Sequence, residues 1–197
     1  METRFQLRSV LTLVWEGLEA EDFGSDELVS LVLELCCSEQ PAVARSYSAL
    51  HITCHQGQAT ITRLLLERGL EIDAHCSRKR TPLHVACHRG HADAATELLR
   101  RGADVAARDV DSLTPLHVAS KAGHVSVVAV LLSRGAFVND VDDEDATALD
   151  HAIMYVHPGV AKLLLDAGAW PGSTSANHCN SDSRPQPLHL ASMYNSP

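Results

Sequence analysis

The sequence predicts an all-α repeat solenoid of stacked helix-turn-helix units, and three observations carry that prediction. Segments recur at a step of 33 residues, each segment holds two short apolar helical patterns punctuated by Gly, and the composition favours aliphatic over aromatic packing. Of 197 residues, 45% are hydrophobic but only 4% aromatic, which supplies a core and disfavours an aromatic-rich β-sandwich.

The repeat can be read without gaps. TPLHVACHRGH begins at Thr81 and TPLHVASKAGH at Thr114, and the same step reaches SALHITCHQGQ at Ser48 and TALDHAIMYVH at Thr147. It also joins Gly69, Gly102, Gly135 and Gly168, and the leucine pairs from Leu65 and Leu66 to Leu164 and Leu165. These matches predict units over 48–80, 81–113, 114–146 and 147–185, the last lengthened by the polar loop WPGSTSANHCNSDSRP. Residues 1–47 read as an N-terminal helical segment and a degenerate capping repeat, and residues 186–197 as an incomplete repeat opening QPLHLASMY.

Each element has a local reason. Thr81, Thr114 and Thr147 suit helix N-caps, and Pro82 and Pro115 occupy the first helical position, where a missing N–H leaves nothing unsatisfied. Gly90 and Gly123 break the first helix before a second apolar segment, and Gly102 with its register mates suits the left-handed residue that ends the second. A single unit cannot enclose its own apolar face, so stability must come from neighbours. In the fourth unit Val156 replaces the turn Gly and is followed by Pro158, which predicts a repacked turn, and Asp150 replaces the motif His. The last unit stops at Pro197 after one helical pattern, so the chain is expected to be a fragment or to need a partner at that edge.

TPLHVACHRGHADAATELLRRGADV resembles the ankyrin repeat, and the likeness covers 48–171, with weaker matches at 15–47 and 186–195. The resemblance implies two antiparallel helices per unit followed by a hairpin-like finger, stacked so that first helices and fingers form a concave face. It implies that His51, His84, His117 and His189 bond to the motif hydroxyl and neighbouring backbone. It also places Asn139 where some ankyrin proteins carry a hydroxylated asparagine.

Several function classes fall away. A net charge of −9 repels polyanions, and the cluster Arg78, Lys79 and Arg80 lacks an aromatic platform for bases, so no nucleic acid partner is expected. The apolar stretch VLTLVW is too short for a secretory signal, and no run approaches the ~20 apolar residues that cross a bilayer, so no membrane insertion is expected. Six cysteines without a CxxC pair read as reduced thiols, which points to the cytoplasm, with the nucleus as alternative. His51 with His55 and His84 with His88 lie at i, i+4 and could share a side of a helix, yet nothing supplies further ligands, so no metal site is expected. No nucleophile elbow, phosphate loop, dinucleotide fingerprint or HExxH occurs, so neither catalytic residues nor cofactors are assigned and no enzyme is expected.

What changes from unit to unit marks surface that a partner can read. Along the first helices these residues are His55 and Gln56, His88 and Arg89, Lys121, then Met154 and Tyr155; in the fingers they are Arg78, Arg80, Asp111 and Leu113. They form the predicted partner-binding set of a protein-interaction scaffold or adaptor, monomeric or part of a longer chain, whose partner is a protein. The alternative is the substrate-recognition segment of a larger regulatory enzyme, such as a ubiquitin-ligase receptor, with its effector domain beyond Pro197.

Overall fold

The computed structural model describes residues 48–170; the expectations for residues 1–47 and 171–197 lie outside the described residues. Eight α-helices follow in pairs among them: α1 (Ala49–Gln56) and α2 (Ala59–Glu67), α3 (Pro82–Arg89) and α4 (Ala92–Arg100), α5 (Pro115–Ala122) and α6 (Val125–Ser133), α7 (Ala148–Met154) and α8 (Pro158–Asp166). First helices stack in the order α1, α3, α5, α7 and second helices in the order α2, α4, α6, α8, with each pair also packed internally. The chain is an all-α repeat solenoid. Its only β pairing among the described residues is an isolated antiparallel bridge between Val141 and Thr147.

The first helices start at a residue pair that also fastens the stack. Thr81 has extended backbone, and its N–H and hydroxyl both donate to His84 Nδ1, at 3.2 and 2.9 Å. Thr114 treats His117 alike, at 3.2 and 2.8 Å, as does Ser48 with His51. A backbone N–H can only donate, so Nδ1 is the acceptor and Nε2 carries the proton. That Nε2–H then donates to the end of the finger that closes its own unit: His51 to the Arg80 carbonyl at 2.8 Å, His84 to Leu113 at 3.0 Å, and His117 to Ala146 at 3.2 Å. One imidazole therefore caps its own helix and ties it to the last residue of its own unit, from which the next first helix departs.

The core is two leucine ladders. Leu50, Leu83, Leu116 and Leu149 come from the first helices and Leu65, Leu98, Leu131 and Leu164 from the second, all fully buried. Truncating one to Ala removes its transfer energy and leaves a cavity, a loss of about 2–5 kcal/mol. The first unit places Thr53 and Thr62 where the second has Ala86 and Ala95. Their hydroxyls satisfy one another, because Thr62 donates to Thr53 Oγ1 at 3.0 Å and Thr53 donates to the Leu50 carbonyl at 3.1 Å.

Each finger is a tight loop closed by its own backbone. Asp109 N–H donates to Leu113 O at 3.1 Å and Asp142 N–H to Ala146 O at 3.0 Å, while Cys76 N–H donates to Arg80 O at 3.0 Å. Lys79, Ser112 and Asp145 take the left-handed conformation at the same step of each tip, with φ of 55, 55 and 56°. The aspartates of the second and third fingers act as internal staples: Asp109 Oδ1 accepts from the amides of Asp111 and Leu113, and Asp142 Oδ1 from those of Glu144 and Ala146.

The turn at Val156 departs from expectation. It is not repacked: Val156 adopts φ 58°, and His157 N–H reaches the Ala152 carbonyl at 2.8 Å just as His124 N–H reaches Ala119 at 3.1 Å. The unit absorbs the bulkier residue by ending α7 one residue early, at Met154, and by exposing the Val156 side chain. Asp150 keeps half of the His role, since its Oδ2 accepts from the Thr147 amide and hydroxyl at 2.9 and 2.8 Å.

Candidate functional site

The exposed ends of the four first helices lie side by side because those helices stack in register. His55, Gln56, His88, Arg89, Lys121, Met154 and Tyr155 are all exposed there, the last two at 62% and 43%. Two contacts between units order this stripe. The Arg89 guanidinium donates to His55 Nε2 one unit back, and the Lys121 ammonium stands over the Tyr155 ring one unit forward, 5.1 Å from its centroid. The structure thus brings together seven of the sequence-predicted residues.

The surroundings of this stripe are positive. Burial first, and then the Arg89 charge, hold His55 below the usual imidazole range; burial followed by the charges of Arg80 and Arg89 does the same to His88. Beneath the stripe, Cys54 and Cys87 are fully buried, and desolvation pushes the Cys54 thiol up to about 12 and raises Cys87 as well. Neither thiol is available as a nucleophile at neutral pH.

The fingers correct part of the prediction. Leu113 is buried at 7% exposure and joins the core cluster, so it lines no partner-facing surface; the hydrophobic residue points inward because its amide and carbonyl are both committed to the Asp109 loop. Arg80 is only half exposed, and its Nε donates to the buried Asp109 carboxylate at 3.2 Å, which makes it a bridge between fingers. Arg78 and Asp111 are exposed, but they pair with each other at 2.6 Å. In the third finger Asp143, Glu144 and Asp145 are exposed, while Asp142 is buried against His151 Nε2 at 2.8 Å.

Sequence reasoning missed three features. His91, His124 and His157 each donate Nε2–H to a carbonyl of the preceding unit, at His55, His88 and Lys121. Phe137 and Trp170, two-thirds exposed, occupy one register position that the earlier units fill with Glu71 and Asp104; the 33-residue step was the available signal. The buried Asp142–His151 pair arises because His151 takes the position of Val85 and Val118. Among the described residues, no group of three or more His, Cys, Asp or Glu side chains is gathered so as to hold a metal ion, and no helix is long and apolar enough to cross a membrane.

Stacked two-helix units with a variable exposed stripe define a repeat protein of the interaction-module class. The family model for ankyrin repeats, in three copies, matches residues 18–109 and 106–175. The chain belongs to the ankyrin-repeat family, whose repeats are generally protein–protein interaction modules and typically non-catalytic. Among curated proteins, none matches the chain.

Proposed function

We propose that this chain is a non-enzymatic scaffold or adaptor that recognises a protein partner through the exposed ends of its first helices and the adjoining finger tips, in the cytoplasm. One observation carries the reading. The residues that cap, stack and staple the units repeat with the 33-residue step, whereas the exposed first-helix ends change along the stack, from His55 and His88 to Lys121 and Met154 in one register and from Gln56 to Arg89 and Tyr155 in the next. Their variation serves no packing need, and a rigid backbone presents them without the ordering cost of a flexible binder. Arg and Tyr are the side chains most often found to dominate such contacts.

The test compares two triple variants in partner capture from cytosol and in titration of the captured protein. Replacing Arg89, Lys121 and Tyr155 by Ala is expected to weaken binding by more than about 2 kcal/mol while leaving the denaturation midpoint nearly unchanged. Replacing Arg63, Ser126 and Lys162, exposed on the second helices, is expected to leave binding intact. The reverse pattern would place recognition on the outer face and refute the proposal.

A further inference from the structure

The charge of the first-helix face says what kind of segment it takes. No first helix exposes a carboxylate: the one acid among the four, Asp150, is buried and spent on the Thr147 cap. Arg78, Arg80, Arg100, Arg101 and Arg108 each meet a carboxylate. Among the described residues Arg89 and Lys121 meet none; Arg89 donates to His55 Nε2 of the preceding unit, and Lys121 stands over the Tyr155 ring of the following one. Both cations are thus held in place with no carboxylate against them among the described residues, and a carboxylate that reached them would meet donors already positioned. Beside Lys121 the stripe becomes apolar, through Met154, Tyr155 and Val156, exposed at 62%, 43% and 78%.

We infer that the first-helix face binds an acidic, extended segment of a protein partner, with carboxylates on Arg89 and Lys121 and an adjoining aliphatic or aromatic side chain on Met154 and Tyr155. The inference rests on that face being the recognition face. A nucleic acid fits less well, because its continuous negative charge would have to pass the exposed Asp143, Glu144 and Asp145 of the third finger. A peptide can place its charge locally. In the basic finger Arg78 and Arg80 are already paired with Asp111 and Asp109, which leaves Lys79 as its one cation without a carboxylate among the described residues.

Selection of short random displayed peptides on the full chain tests this directly. Enriched peptides are expected to carry Asp or Glu next to an aliphatic or aromatic residue, and the synthetic form of the dominant one should bind R89E/K121E at least about tenfold more weakly. The outer-face control R63E/K162E should bind it as the parent does. Enriched peptides that are neutral or basic but lose binding to Y155A overturn the acidic assignment and leave the recognition face standing. Peptides that lose binding to R63E/K162E and not to R89E/K121E overturn both. No enrichment, or tighter binding of a single-stranded oligothymidylate than of any acidic peptide, overturns the inference as well.

Discussion

The His124 imidazole lies over Gly90 so closely that a β-carbon there would stand 2.6 Å from its Nδ1. Gly90 is also left-handed, at φ 80°, so two separate constraints hold it. Gly102 is left-handed at φ 93° but has no atom within 4 Å of its would-be β-carbon, so it bears only the first. G102A is therefore expected to cost about 1 kcal/mol, and G90A more, because the ring must move and give up its bond to the His88 carbonyl. In urea denaturation G90A should lose more midpoint than G102A, and the added loss should shrink in a G90A/H124A background. Equal losses would mean that the ring yields freely.

Acid should weaken the stack before its carboxylates titrate. Burial holds His51, His84 and His117 below the usual imidazole range, with the neighbouring His151 adding to the effect at His117. A depressed imidazole pKa means that the folded state binds fewer protons than the unfolded state as pH falls through about 6.5, so stability falls with it. Protonation would also put a hydrogen on the Nδ1 that accepts from the Thr81 or Thr114 amide. Denaturation midpoints should decline steadily from pH 7.5 to pH 5.5, and H84N should flatten part of that slope; a constant midpoint would refute the assignment.

Asp142 of the third finger and His151 of α7 form the one buried carboxylate–imidazole pair among the described residues. Burial pushes the Asp142 carboxyl up, but the amides of Ala146 and Glu144 and the His151 ring bring it below its usual range. D142A removes all of these acceptors at once and should cost about 2–4 kcal/mol. H151V restores the residue type of Val85 and Val118 and leaves both amide bonds in place, so it should cost less. The double variant should be more stable than D142A, because it no longer buries an unmatched imidazole; a double variant that simply adds the two losses would show that the pair is not coupled.

Ser120 stands in the register of Cys54 and Cys87, and its buried Oγ has no hydrogen-bonding partner among the described residues. Ser120→Cys should stabilise by about 0.5–1 kcal/mol, since it removes an unsatisfied hydroxyl from an apolar site. Thermal unfolding reads this directly, and a lowered Tm would mean that the hydroxyl is satisfied in solution.

The periodic part of this protein was legible because each scaffold residue is repeated at one step, so Thr81, Pro82, Gly90 and the leucine ladders announce themselves by recurrence. The exposed stripe followed by subtraction. What a sequence alone does not carry is the direction in which a non-repeating side chain turns. Leu113 looks like a variable finger residue until the Asp109 loop faces it inward, and Asp142 reads as one more acid in VDDEDA until His151 is found against it. Val156 misled for a related reason: the stacking neighbours fix the turn, and a β-branched residue is accommodated at φ 58° instead of reshaping it.

Each tie between units joins a residue to a partner about one repeat further on, and this makes the length of the array a modular property. Excising residues 81–113 would leave His51 bonded to the Arg80 carbonyl, bring His124 over Gly57, and bring Asp142 and Glu144 beside Arg80 and Arg78 where Asp109 and Asp111 had been. These junctions would close with partners of the same type, while the exposed Arg89–His55 contact would go, because Ala122 takes the place of Arg89. Whole units can therefore be duplicated or deleted without redesigning a seam, so the reach of the binding face can evolve separately from the fold that supports it.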